Sequence, residues 1–188
     1  MAFDLTGKLL ISTPAMGDPR FANSVILLCT HSPGGAFGLV LNRAIPHLTL
    51  AELLKQLDIT LEDDSVADRA VMAGGPVETQ RGFVLHSDEL GSGEGSQALE
   101  GGRMLSASTD VLAQIARGEG PQHWLLALGY AGWGEGQLEQ EIAANAWLTC
   151  DASDELIFGS DRAEARWKAA LQSIGVDPLQ LSAVAGRA

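Results

Sequence analysis

The sequence predicts an α+β domain in which helices pack outside a mixed or largely antiparallel sheet. Three observations lead there. The apolar pattern switches repeatedly between short extended runs and helical spacing. The two kinds of segment do not alternate strictly, as a doubly wound parallel fold would require. Hairpin-like pairs occur near the start of the chain and again around Gly74-Gly75-Pro76.

Residues 8–12, 24–31, 37–43, 69–73, 81–86, 103–106, 123–131, 146–150 and 155–158 read as strands, because most are short, β-branched or aromatic, and bounded by Gly, Pro, Asp or Ser. VILLC and WLLAL are apolar at consecutive positions, which predicts strands covered on both faces.

About four helices supply that cover. Thr49 followed by Glu52 is a capping box, opening a helix whose Leu50, Leu53, Leu54 and Leu57 share one face. A second runs over about 110–117, capped by Ser108 or Thr109, with Val111, Leu112, Ile115 and Ala116 inward and Gly118 at its end. A third covers about 135–145, where Glu135, Glu139 and Glu141 lie near the N-terminal half and favour the helix dipole. The fourth is capped by Ser160 or Asp161, carries Ala163, Trp167, Ala170, Leu171 and Ile174 inward, and stops at Gly175 before Asp177-Pro178. On it, Arg162 and Arg166 form a local basic cluster whose expected role is a solvated face beside a Glu164 to Lys168 pair. The glycine-rich stretch 91–102 is expected to be a mobile surface loop.

The 188 residues fit one domain, 1–188, and a 46% hydrophobic content suffices for a sizeable core. Twelve basic against twenty-four acidic residues leave a net charge of −12, which repels phosphate backbones and anionic lipid. The N-terminal stretch has Asp4 and only a short apolar run, so neither a secretory signal nor a membrane span is expected and the protein is placed in the cytoplasm. In that compartment Cys29 and Cys150 are expected as free thiols, with a disulfide between them left open, and two cysteines alone do not make a zinc site.

The stretch LCTHSPGGAFGLVLNR sets Cys29 and His31 two residues apart before a glycine-rich turn. Positions i and i+2 of a strand share a face, so the imidazole could take the thiol proton. The plainer reading makes Cys29 a small buried hydrophobe and His31 hairpin punctuation. His31, His47, His86 and His123 are scattered; only His86-Ser87-Asp88 has ligand-like spacing, and no metal or cofactor is expected. Gly74, Gly75, Gly132 and Gly134 lie in glycine-rich turns without a nucleotide-binding pattern; they are candidate surface binding positions, with turn formation the alternative. The loop 13–24 carries Asp18 and Arg20, a candidate recognition pair or a structural ion pair.

The stretches PAMGDPRFANSVILLCTHSPGGAFGLVLNR, GGPVETQRGFVLH, ALGYAGWGEGQLEQEIAANAWL and GVDPLQLSAVAGRA follow one another over nearly the whole chain. With them the chain resembles the AlgH/YqgE-like family of bacterial proteins. The resemblance implies a bent, barrel-like sheet flanked by helices and brings the label of transcriptional regulator, attached to the family through alginate production. The family has no agreed catalytic residues, so none is carried over. The acidic balance and the lack of a helix-turn-helix pattern make direct DNA contact unexpected. Regulation through an unidentified protein partner or small ligand is expected instead, and a thiol-dependent redox or small-substrate activity of Cys29 with His31 is the alternative.

Overall fold

The structure is a computed structural model that describes residues 3–159 and 162–184. Its backbone is organised around one long central strand, β9 (Trp124–Trp133), which serves three neighbours. Toward its C-terminal end it pairs antiparallel with β3 (Gly35–Val40). Along its other edge it pairs antiparallel with β6 (Val77–Ser87), and its middle pairs parallel with β5 (Ala70–Ala73). From β3 the sheet continues through β2 (Val25–Ser32) and β1 (Lys8–Ser12) to β10 (Trp147–Asp151). From β6 it continues through β8 (Arg103–Ser106) to β7 (Ser96–Leu99), and β4 (Ala44–Thr49) hangs on β5. This ten-stranded, mixed but mainly antiparallel sheet curls into a half-barrel.

Strands β2 and β9 bury both faces, as their continuous apolar runs predict. Val25, Leu27 and Cys29 enter one core with Leu125 and Ala127, under α4 (Asp154–Phe158) and α5 (Ala163–Ser173). Ile26 and Leu28 enter another with Trp133, Leu138 and Trp147, under α3 (Gln137–Ala143). Trp124 and Leu126 join a third beneath α1 (Leu50–Gln56) and α2 (Thr109–Ala116). A sixth helix, α6 (Pro178–Val184), follows Gly175. No helix among the described residues is long and apolar enough to cross a membrane.

The Thr49 capping box forms as expected, with the Thr49 and Glu52 side chains each accepting the other residue's backbone N–H. Several expectations need correction. Residues 155–158 are helical, because the Ser153 hydroxyl caps the turn by accepting the Leu156 N–H at 3.2 Å. The glycine-rich stretch 91–102 contains β7, which forms a regular antiparallel ladder with β8. Strand β4 was not foreseen: Pro46 and the left-handed His47 (φ 61°) leave it only two ladder positions with β5. Arg166 does not lie on a solvated helix face; it is buried and donates to the Leu41 carbonyl, while Glu164 and Lys168 do pair outside at 2.7 Å. The proposed caps Ser160 and Asp161 lie outside the described residues. Both cysteines are free and buried.

Candidate functional site

The two residues that opened the thiol question are separated by a β-bulge. Leu28 stands opposite Gly38 and Thr30 opposite Phe37, so Cys29 is the extra residue. A bulge inverts the alternation beyond it. Cys29 therefore turns into the α5-side core, Thr30 shares that face with Phe37 but stays exposed, and His31 goes to the opposite face with Ala36. The expectation of a shared face fails for that reason. Cys29 is 2% exposed, and burial pushes its thiol up to about 12. Its single hydrogen-bond contact is a 3.8 Å approach to the Leu27 carbonyl.

On the other face, His31 Nδ1 accepts the Leu5 N–H at 3.0 Å. In the neutral ring this leaves the proton on Nε2, which meets Glu139 Oε1 at 2.8 Å. The Glu139 carboxyl lies below its ordinary range, through its backbone hydrogen bond first and His31 second. His31 thus pins the N-terminal segment to α3 instead of serving the sulfur.

The remaining sequence candidates hold structure together. Asp18 accepts the Arg20 N–H at 3.0 Å and chelates its guanidinium, capping a 3-10 turn over Pro19–Phe21. Arg20 in turn lowers the Asp18 carboxyl. The Arg43 guanidinium donates to the Arg20 and Ala22 carbonyls and holds the same turn from outside. Gly74 is buried, and a Cβ on Gly75 would stand 2.0 Å from the Tyr130 carbonyl carbon, so these glycines permit backbone-to-backbone contact with β9. Gly132 and Gly134 are exposed, but the Gly134 N–H is taken by Gln137 Oε1 at 3.1 Å. His86 points inward, its Nδ1 donating to the Ser87 carbonyl and its Nε2 accepting the Ser106 hydroxyl, both at 2.8 Å. Among the described residues no three His, Cys, Asp or Glu side chains converge as a metal set.

What the fold does assemble is an open groove of about 350 Å³ lined from β2, β3, β6, β7 and β8. Phe37 and Phe83 line it, with ring centroids 5.6 Å apart, and Tyr130 packs against both at 4.7 and 6.2 Å. The Arg81 guanidinium lies 5.2 Å from the centre of the Phe83 ring, where the ring quadrupole attracts a cation. Thr30 and Gln97, both exposed, face the same space. The bulge at Cys29 is what turns Thr30 into it.

Behind the groove, β6 is interrupted. Val77 pairs with Tyr130 and Gly82 with Leu128, leaving Glu78 to Arg81 opposite Gly129 alone. Glu78 is forced to φ 45°, a left-handed conformation that costs a non-glycine residue about 1 kcal/mol or more. Its carboxylate reaches Arg81 at 3.4 Å and acts on the Tyr130 phenol. Burial first, and that carboxylate second, raise the Tyr130 phenol above its ordinary range. Sequence reasoning missed these residues because five strands, β2, β3, β6, β7 and β9, supply them from separate parts of the chain. The available signal was the polar run ETQR inside a stretch otherwise patterned as strand.

Fold and groove together define a mixed α+β half-barrel protein with one open aromatic recess and a sealed thiol. A family model described as AlgH-like matches residues 9–179, and the chain belongs to that family. It is 52% identical to a UPF0301 protein of Jannaschia sp. over 189 residues, covering 100% of this chain and 97% of the relative. A UPF0301 protein of Ralstonia nicotianae is 49% identical, with 98% and 96% covered. The solution structure of AlgH from Pseudomonas aeruginosa superposes with a TM-score of 0.79 at 43% identity, covering 100% of this chain and 96% of that one. A crystal structure from Corynebacterium diphtheriae, at 20% identity and a TM-score of 0.73, shares the fold, with 95% and 91% covered.

Proposed function

We propose that this protein is a non-enzymatic regulatory or binding protein of the cytoplasm, acting by capture of a small ligand or a segment of a protein partner at the aromatic groove. The supporting observation is the pairing of the half-buried Phe37 ring, backed by the buried Phe83, with a loosely tied cation in a recess of about 350 Å³. That volume suits a metabolite-sized occupant. Arg81 and Glu78 are each 53% exposed and meet at 3.4 Å, and such a surface pair contributes no more than about 1 kcal/mol. Arg81 can therefore exchange Glu78 for an acidic group on a ligand at little cost. The net charge of −12 speaks against direct DNA contact, so any effect on transcription would run through a partner.

The test is a thermal-shift screen of metabolites on wild type, Arg81→Ala and Phe37→Leu. A ligand at about a hundred times its dissociation constant adds about 2.7 kcal/mol, which raises the Tm of a chain this size by roughly 5–10 °C. Both substitutions should diminish that shift. Ligands whose shifts survive both unchanged would bind elsewhere and sink the assignment.

A further inference from the structure

The interruption of β6 leaves a strand edge open between two grooves. On one side, pairing with β8 begins only at Val84, opposite Ser106, because the chain then leaves the sheet to enter α2. On the other side, β9 pairs with Val77 and resumes at Gly82. Residues 78–81 are exposed and without a ladder partner among the described residues, and beyond the left-handed Glu78 the strand runs on toward Gly82.

Successive residues of this stretch face different recesses, as strand alternation demands. Arg81 and Phe83 line the aromatic groove. Gln80, Gly82 and Val84 line a second groove of about 120 Å³ on the opposite face, walled by Leu53 of α1, Leu57 at that helix's C-cap and Leu112 of α2. Ala107 borders both, so the slot between it and β6 opens to the two faces of the sheet. A Cβ on Gly82 would meet only Leu128 Cδ2, at 3.7 Å, so packing does not demand glycine there. Its missing side chain keeps the second groove open. Arg81 is the one charged side chain lining either groove among the described residues.

Resting on the groove reading above, we infer that the edge of β6 at Gln80 to Phe83 receives an extended peptide segment of a protein partner as an added strand. The segment's backbone pairs with β6, and its alternate side chains enter the two grooves. Charge complementarity sets an acidic residue against Arg81. Aliphatic residues at the intervening positions meet Leu53, Leu57 and Leu112.

Heptapeptides selected by phage display on the full chain, then measured by fluorescence polarisation, test this. Wild type is compared with Arg81→Glu and Gly82→Val, two substitutions at positions with room, whose urea midpoints report intact folding. The selected peptides should alternate acidic and aliphatic residues, and each substitution should raise Kd about tenfold or more. Backbone N-methylation at one alternate set of positions should abolish binding, while the other set is tolerated, because every second amide of an added strand points at β6. Peptides that need Arg81 but ignore N-methylation would overturn strand addition and leave the groove reading standing. So would an absence of binding peptides beside a small ligand that requires Arg81. A concentration-dependent dimer broken by Gly82→Val would replace the partner segment with a second copy. Failure of every peptide and small ligand to depend on the groove would remove both readings.

Discussion

Alkylation of Cys29 by iodoacetamide, in a Cys150→Ala background, decides between a binding protein and a thiol-dependent one. The sulfur is packed among Leu27, Leu39 and their neighbours, and burial moves the thiol from its ordinary 9.0 to about 12. That displacement lowers the thiolate population about a thousandfold at neutral pH. The native rate at pH 7.5 should then fall at least that far below the rate of the urea-unfolded chain. Reaction through unfolding does not rescue it, since a stability of about 5 kcal/mol or more keeps the open fraction smaller still. The raised thiol also has a pH signature. A raised folded pKa favours the neutral thiol, so its contribution is fully present below the unfolded pKa near 9 and is lost as the pH climbs toward about 12. The upper limit of that loss is about 4 kcal/mol, and Cys29→Ala should flatten the alkaline fall in urea midpoint. Rapid alkylation of native protein, with an apparent pKa at or below about 8.5, would refute the argument.

Two further substitutions, with one control, probe the scaffold. Glu141 Oε2 accepts the indole N–H groups of Trp133 and Trp147 at 3.0 and 2.7 Å, while Oε1 accepts from Gln137 at 3.0 Å. Glu141→Ala strands two largely buried donors and should cost about 2–5 kcal/mol in urea unfolding followed by tryptophan fluorescence; a loss under about 0.5 kcal/mol would contradict the clamp. Gly75→Ala drives a Cβ into the Tyr130 backbone and should cost about 3 kcal/mol or more or prevent soluble expression, whereas Gly17→Ala, with nothing within 4 Å, should leave the urea midpoint unchanged. Equal midpoints for the two variants would contradict the close packing of Gly75 on β9.

Legibility in the sequence followed the range of the interactions involved. The helix around Leu50 was readable because its capping box and its apolar stripe are both local. Strands β2 and β9 were readable because a run buried on both faces has no polar position to confuse the period. Helix α4 failed because LIF is too short to show a period, and only Ser153 with Asp154 and Glu155 behind it marks a helix start. Strand β7 failed for the opposite reason: its composition is that of a loop, and its ladder with β8 and the Ser96 to Ser106 hydroxyl contact at 2.7 Å are supplied from outside. The acidic residues of α3 illustrate the same limit. Their placement suggested a dipole effect, yet Glu139 and Glu141 are spent on His31 and on two indoles, partners that no helix rule contains.

The candidate site was less legible than the fold because one unpaired residue decides it. In an uninterrupted strand Cys29, His31 and Thr30 would alternate, giving a thiol beside an imidazole and a threonine turned to the other face. The extra residue at position 29 moves Thr30 to the face of Phe37 and His31 to the face of Ala36. A single change of parity thus dissolves the only nucleophile and base pairing that the sequence offered and adds a hydroxyl to the aromatic groove. Nothing in the string LCTHSPGG marks a bulge, since it shows only in the pairing with β3, where Leu28 stands opposite Gly38 and Thr30 opposite Phe37. The second irregularity, between Val77 and Gly82, acts on the facing wall in the same way, releasing Arg81 from the ladder and standing it over Phe83. Both walls of the groove therefore owe their chemistry to departures from regular pairing. Glu78, held at φ 45° without glycine's freedom, is where the chain meets the cost of the second.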